Sequence, residues 1–273
     1  MIKQQQLSRF ILGKYEVTQE FYRAVMENAE VLYEGLVYNL QANPSCFSNN
    51  DLLRKDEVQK LCPVDSVSWY DAIFFCNRLS ELLDLEKAYD IENITIDPDY
   101  RHISNADVFL NENANGFRLP FLKEWEFAAR GGDTSSPEWN YCFSGADSIY
   151  WVESTNTTRS SDKGIDLIGW YIHNTCSEDG TTKLKTFGND KIGYGTHEVG
   201  KKNSNSSGLF DMSGNVEEWC FDKTPDNKMA IASGGSFCYG AIDCQNISKK
   251  SHSLKSIYFT YGFRLCRSYI PEN

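Results

Sequence analysis

Residues 208–219 read GLFDMSGNVEEW, and this stretch is one of five that together decide the fold of the chain. Its Gly214-Asn215 pair indicates a turn, with the acids Asp211 and Glu218 on either side of it. Trp219 closes the stretch, and its large ring is expected in the core. The stretch therefore predicts a tight turn beside a buried tryptophan.

Three helices are predicted outward from this turn. The first covers residues 17–26, with Thr18 as its cap and apolar residues at helical spacing. Ser68 caps the second, and Asp71 stands three residues later in the capping-box position. The third, which contains Trp125 as another expected core residue, covers residues 122–130 and is stopped by two glycines.

Strand signals elsewhere are short and scattered. Residues 86–116 are typical of a hairpin with loops, and residues 132–208 of long packed loops with short strands. Brief strands are predicted at 230–233, 237–239 and 262–266. Strand and helix signals do not alternate along the chain, so a parallel sheet is not predicted. We therefore predict an α+β fold, with short twisted antiparallel strands, a few helices and long loops, in a single domain over residues 1–273.

The composition excludes several classes of function. The net charge is −11, and Lys249-Lys250 is the longest basic cluster, so neither nucleic acid nor an anionic membrane surface is expected as a partner. No apolar run approaches the ~20 residues of a membrane-spanning helix. The first residues lack the apolar core of a signal peptide. Two alternatives stay open: a cytoplasmic chain, or a targeting segment missing from this sequence.

Five segments, in this order along the chain, resemble the formylglycine-generating, or sulfatase-modifying, family. They are GKYEVTQ at 13–19, PVDSVSW at 63–69, FRLPFLKEWEFAARGG at 117–132, GLFDMSGNVEEW at 208–219, and GGS at 234–236 with GFRL at 262–265. Each alone is a weak signal, but the ordered set is specific and covers nearly the whole chain. The resemblance implies a C-type-lectin-like fold.

The family's enzymes oxidise a cysteine of a substrate sulfatase, using copper held by two cysteines placed three and eight residues after the serine of GGS. Here Cys238 and Cys244 stand two and eight residues after Ser236, and Tyr239 takes the first cysteine's place. On an extended strand, a shift of one residue sends a side chain to the opposite face. Copper catalysis by Cys238 and Cys244 is therefore not expected unless a bulge restores the pair. A disulfide and incidental thiols are the alternatives.

Non-catalytic relatives with this fold include the variable proteins of diversity-generating retroelements, among them those of treponemes. In these proteins the segment between GGS and GFR is rewritten at adenine-containing codons, and the corresponding segment here is residues 237–261. Its tyrosines, serines, glycine and aspartate are the residue types that paratopes use. The residues expected to bind ligand are Cys238, Tyr239, Gly240, Ile242, Asp243, Ser251, His252, Ser253, Tyr258, Phe259 and Tyr261. Strand alternation would bury about half of the aromatic ones.

A calcium site is also implied by the resemblance. Asp211, Gly214, Val216 and Glu218 match a calcium-binding pattern of the enzymes, and two carboxylates with two main-chain carbonyls suit a hard cation. The alternative is a Gly-Asn turn with solvated acids.

The sequence therefore favours a non-catalytic, receptor-like protein whose segment 237–261 binds a protein or other cell-surface ligand. Relatives of this kind are displayed on the cell surface, often through a lipid anchor, and the resemblance implies the same location here. The alternative function is a copper-dependent oxidase of the formylglycine-generating type. A sugar-binding lectin ranks last, because the Glu-Pro-Asn and Gln-Pro-Asp triplets of such lectins are absent from the sequence.

Overall fold

The structure, a computed structural model, describes residues 8–48, 53–54, 56–149, 151–152, 160–175 and 195–269. The helices of this part are α1 Gln19–Met26, α2 Trp69–Leu82, α3 Leu122–Ala129 and α4 Lys163–Ile168. The strands are β1 Phe10–Leu12, β2 Glu30–Tyr33, β3 Leu36–Asn39, β4 Tyr89–Asp97, β5 His102–Leu110, β6 Phe117–Arg118, β7 Trp151–Val152, β8 Ser161–Asp162, β9 Glu217–Lys223, β10 Met229–Ser233, β11 Lys249–Ser253, β12 Tyr261–Gly262 and β13 Cys266–Ser268. The α+β prediction is confirmed.

The predicted helix caps are confirmed. Thr18 accepts a hydrogen bond from the main-chain N–H of Phe21 at the start of α1. At the start of α2, Ser68 and Asp71 form the capping box, each side chain accepting from the other residue's main-chain N–H. The apolar face of α2 is buried in the largest core cluster. Helix α3 ends at Ala129, one residue before the predicted end.

Two sheets hold the molecule together. A four-stranded sheet has the order β11-β10-β9-β12, and a three-stranded sheet has the order β1-β13-β6. All pairs in these sheets are antiparallel except β12 with β9, which is parallel. Strands β4 and β5 form the hairpin expected within residues 86–116, and each of them is nine residues long.

Two predicted strands are wrong. Residues 237–239 form a turn, closed by a hydrogen bond from the Tyr239 N–H to the Ser236 carbonyl at 3.0 Å. Gly234 and Gly235 precede it with φ of +94° and +70°, and these left-handed conformations turn the chain out of β10. The predicted strand at 262–266 is broken, since β12 ends at Gly262 and β13 begins at Cys266.

The region 132–208 is mostly loop, as predicted, but it contains a helix that the sequence did not reveal. Helix α4 has six residues, and the side chain of Asp162 caps it by accepting from the Gly164 N–H at 2.7 Å. So short a helix shows too little apolar periodicity to be recognised. Parts of this region lie outside the described residues.

Trp125 and Trp219 lie in the core as expected, and Trp69 of α2 lies there too. Trp69, Trp125 and Trp219 have no exposed surface, and each indole N–H is satisfied. Trp69 donates to the Cys220 carbonyl and Trp219 to the Val67 carbonyl, both at 2.9 Å, so the two rings join α2 to β9.

Candidate functional site

Segment 237–261 supplies both outer strands of the four-stranded sheet. It leaves β10 through the turn at 237–239, forms a short 3₁₀ helix at Ala241–Cys244, returns as β11 on one edge, and ends in β12 beside β9. The end of the segment is hydrogen-bonded to the residues just before α2. The Ser66 and Val67 N–H groups donate to the Tyr258 and Tyr261 carbonyls at 3.1 and 3.4 Å. The segment therefore frames a fixed pair of central strands, β9 and β10.

The predicted ligand-binding residues differ widely in exposure. Tyr258 is 48% exposed and Ser251 is also exposed. Seven more are half-buried, namely Cys238, Tyr239, Ile242, Asp243, His252, Ser253 and Phe259. Gly240 and Tyr261 are buried, so the prediction of an exposed side is wrong for these two. Side chains that a ligand can reach are thus concentrated at Tyr258, Ser251 and their half-buried neighbours.

Tyr261 is a core residue because β12 turns its ring inward. Only 8% of it is exposed, and its ring meets the Trp219 ring edge to face with centroids 5.1 Å apart. Its hydroxyl lies 2.9 Å from Nδ1 of His252, and this contact joins the Tyr261 side chain to strand β11. Tyr261 therefore positions His252 and does not itself face a ligand.

A buried carboxylate lies under the segment. Glu217 is 1% exposed, and its Oε2 accepts a hydrogen bond from the Tyr239 hydroxyl at 3.0 Å and lies 3.3 Å from Nε2 of His252. Burial and the Glu217 charge raise the pKa of Tyr239, so its hydroxyl stays a donor. The Lys250 ammonium sits 3.4 Å from the centroid of the Tyr239 ring. Glu217 thus ties the turn at 237–239 to β11.

The exposed ring of Tyr258 rests on a cluster of rings that joins the segment to Phe47, which lies outside it. Tyr258 packs on Phe259 with centroids 4.1 Å apart, and Phe259 meets Phe47 edge to face at 5.8 Å. Phe47 meets Phe237 in the same way at 5.1 Å. The rigid ring stack holds Tyr258 outward, and such a fixed tyrosine offers contact area at little entropic cost.

The two cysteines of the oxidase alternative lie against one residue but favour the thiol form. Cys238 Sγ is 3.4 Å from the Ser236 hydroxyl, and Cys244 Sγ is 3.9 Å from the Ser236 carbonyl. The alternation argument does not apply here, since residues 237–239 form a turn. Burial raises the pKa of Cys238 to about 11, and burial followed by the Asp243 charge raises that of Cys244 further. Copper is bound by thiolates, so copper binding here would have to release the protons of both buried thiols.

The residues of the calcium pattern come together around the turn, but they fit a cation only in part. Oδ1 of Asp211 is buried and has no hydrogen-bond partner among the described residues, so its lone pairs could serve a cation. Glu218, in contrast, binds the Arg264 guanidinium through both oxygens, at 2.5 and 2.6 Å, and accepts from the Trp125 indole at 2.7 Å. Gly214 has φ of +98°, and a Cβ there would lie 2.1 Å from the Trp170 carbonyl oxygen, so the turn itself requires glycine.

Buried charge at this turn is larger than the sequence indicated. Glu16 lies next to it, accepting from the Asn215 amide at 2.7 Å and from the Val216 N–H at 3.1 Å. Burial raises the pKa of Glu16 well above its usual value, and so do the Asp211 and Glu218 charges. Burial likewise raises the pKa of Asp211 to about 6. Arg264 is the fully buried cation of this group.

Sequence reasoning missed Glu217, Glu16 and Arg264. A signal was present for the first, since Glu217 and Glu218 are adjacent on a strand and must point to opposite faces. Glu218 points to Arg264, and Glu217 points under segment 237–261. No pattern in the sequence marked Glu16, which reaches the turn from 199 residues away.

A mixed fold of this kind, with a GGS turn after β10, a GFR stretch that begins at the end of β12 and an intervening segment between them, defines a formylglycine-generating-enzyme-like protein with a C-type-lectin-like fold. The family model described as "Sulfatase-modifying factor enzyme 1-like domain" matches residues 2–269, and the chain belongs to this family.

Known relatives agree with this assignment. The chain is 33% identical over 239 residues to the protein named chaperone protein LppX of Paenibacillus barcinonensis, covering 85% of this chain and 70% of that one. It resembles the solved structure of Treponema denticola variable protein 1, with 30% identity, a TM-score of 0.69, and coverage of 95% and 84% of the two chains. A formylglycine-generating enzyme of Mycobacterium tuberculosis is 31% identical over 104 residues, which are 38% of this chain and 26% of that enzyme. The predicted resemblance to the family and to a treponemal variable protein is confirmed.

Within the described residues, no helix has the length and apolar character that crossing a membrane requires. Nor do any three His, Cys, Asp or Glu side chains among them form a group that could hold a metal ion.

Proposed function

We propose that this chain is a non-catalytic binding protein that contacts a protein or other cell-surface ligand through segment 237–261. The observation that carries this proposal is the placement of the segment, which frames the fixed strands β9 and β10 and presents Tyr258 and Ser251 outward. Side chains on such a frame can change without altering the scaffold, and a rigid scaffold lowers the entropic cost of binding. The similarity to a variable protein supports it.

We further propose that a retroelement diversifies the segment and that the chain acts at the cell surface, held there by a lipid anchor. Sequencing the codons for residues 237–261 across a population of the source organism tests the first point. We expect substitutions confined to this window, at positions where a nearby repeat beside a reverse-transcriptase gene has adenine. An invariant window without such a repeat would contradict it.

The residues of the calcium pattern are proposed to hold a structural calcium ion, with Asp211 and the Gly214 and Val216 carbonyls as ligands and Glu218 kept by Arg264. Calcium at 100 times its dissociation constant would stabilise the fold by about 2.7 kcal/mol. At roughly 2–4 °C per kcal/mol, Tm should rise by about 5–10 °C.

Scanning calorimetry with calcium and with a chelator measures this rise, which Asp211→Asn should abolish. The matched control is Asp226→Asn, because Asp226 is an exposed acid in the turn after β9. An unchanged Tm in both solutions would assign the stretch to a turn and an ion pair alone.

The oxidase alternative predicts tight copper(I) binding by Cys238 and Cys244. We expect instead no stoichiometric copper after anaerobic loading and desalting, because Cys238 stands two residues after Ser236 and Tyr239 takes the place of the first copper-binding cysteine. Metal analysis of the wild type beside Cys244→Ser measures this. If the wild type held one copper per chain and Cys244→Ser held none, the result would support the oxidase alternative.

A further inference from the structure

We propose that the ligand of segment 237–261 is captured by strand addition, with an acidic extended peptide pairing along the open edge of β11. This inference rests on the function proposed above and names the chemistry of the partner. It is carried by two observations, the unpaired edge of a strand within the segment and the local reversal of charge around it.

Strand β11 is an edge strand. It pairs with β10 in antiparallel register, from Lys249 opposite Ser233 to Ser253 opposite Met229, and among the residues that the structure describes it is the last strand on its side of the sheet. Alternate residues of such a strand direct their N–H and C=O groups away from the sheet. Among the described residues, no main-chain group outside β10 hydrogen-bonds to residues 249–252.

The edge offers main-chain groups that do not depend on side-chain identity. Main-chain hydrogen bonds supply affinity in strand addition, while alternate side chains supply specificity. Lys249 and Ser251 are exposed along the edge, and Lys250, His252 and Ser253 are half-buried. A diversified segment could therefore change its selectivity and keep the same mode of capture.

The charge of the segment is opposite to that of the chain. It contains the lysines 249, 250 and 255 and one acid, Asp243, for a net charge of +2, whereas the whole chain carries −11. Lys250 pairs with Asp243 at 3.4 Å, so among the described residues Lys249 and Lys255 carry the excess positive charge of the segment. At physiological salt such charges act over about 8 Å. A strand that carries glutamate or aspartate would meet these lysines favourably.

A second copy of this chain is a poor occupant of the edge. Two β11 edges paired antiparallel would bring Lys249 and Lys250 of one copy into the ladder that carries the same lysines of the other. In an antiparallel pair centred on Ser251, Lys249 would lie opposite Ser253 and Lys250 opposite His252, so four lysines would gather in one short ladder. Edge lysines commonly prevent such self-pairing. The same lysines do not oppose an acidic partner.

The test uses a short peptide of alternating glutamate and threonine, titrated to about 1 mM into isotope-labelled full-length chain and followed by amide NMR. We expect shifts concentrated at residues 249–253. The same peptide N-methylated at every residue cannot donate main-chain hydrogen bonds, and its affinity should fall by roughly tenfold or more. A peptide with lysine in place of glutamate should also bind more weakly.

Variants of the chain separate charge from fold. Lys249→Glu should lower the affinity of the chain for the glutamate peptide by roughly tenfold. Lys123→Glu, which makes the same charge change on an exposed lysine of α3, should leave it unaltered.

Each other outcome overturns the inference in a recognisable way. Shifts around Tyr258 and Tyr239 without shifts in β11 would reject strand addition and leave the proposed function standing. Equal binding of the N-methylated peptide would reject it likewise. Concentration-dependent shifts of β11 without peptide would assign the edge to a second copy. No binding of the glutamate peptide would overturn the partner chemistry.

Discussion

Replacing Arg264 with methionine should lower the free energy of unfolding by about 3–5 kcal/mol, the usual cost of removing one partner from a buried ion pair. Arg264 is fully buried and binds both oxygens of Glu218, and it also donates to the Gly13 and Phe210 carbonyls. Without the guanidinium, the three buried acids Glu16, Asp211 and Glu218 would no longer have a buried positive charge beside them. Urea unfolding of the purified chain measures the change.

Two further variants define the origin of the loss. Arg23→Met removes an exposed arginine of α1, and we expect a change of no more than about 0.5 kcal/mol. The double variant Arg264→Met with Glu218→Gln should be clearly less destabilised than the sum of its single variants, since the two side chains interact directly. Strict additivity would show that Arg264 stabilises the fold independently of Glu218.

The second large effect concerns binding. Tyr258→Ala should weaken binding of the ligand to segment 237–261 by about 2 kcal/mol or more, as expected for a central exposed aromatic residue. The free energy of unfolding should change by no more than about 0.5 kcal/mol. Titration calorimetry and urea unfolding measure the two quantities. Tyr100→Ala is the matched control, because Tyr100 is 63% exposed and lies outside the segment.

Tyr261→Ala should behave in the opposite way to Tyr258→Ala. It removes a ring packed on Trp219 and should cost about 3–5 kcal/mol of stability, so any loss of binding would follow from unfolding. A Tyr258 variant that unfolds, or a Tyr261 variant that keeps full stability, would reverse the assignment of the two residues.

Local chemistry made parts of the fold predictable. The caps at Thr18 and Ser68 depend on side chains within three residues, and the burial of Trp69 follows from its place on an apolar helix face. The turn at 237–239 was not predictable as such, because strand-forming residues occur there and two preceding glycines redirect the chain. The parallel pairing of β12 with β9 also escaped prediction, since it joins residues far apart in sequence.

The candidate site was predictable only to the level of a segment. The resemblance located residues 237–261, but strand alternation could not tell Tyr258 from Tyr261, because the backbone between them turns before β12. The support of Glu217 for Tyr239 and the packing of Phe47 on Phe259 depend on tertiary contacts between elements that no local pattern connects.

The pairing of β1 with β13 has a consequence for synthesis of the chain. Strand β1 has its partner only when Cys266–Ser268 has been made, and the bond from Arg264 to the Gly13 carbonyl spans 251 residues. Contacts so distant in sequence form late, and a nascent chain keeps the β1 edge unpaired until β13 has been synthesised. A stop codon or frameshift within 237–261 would remove this closing strand. Substitutions within 237–261 leave this closing strand in place, because β13 lies beyond the segment.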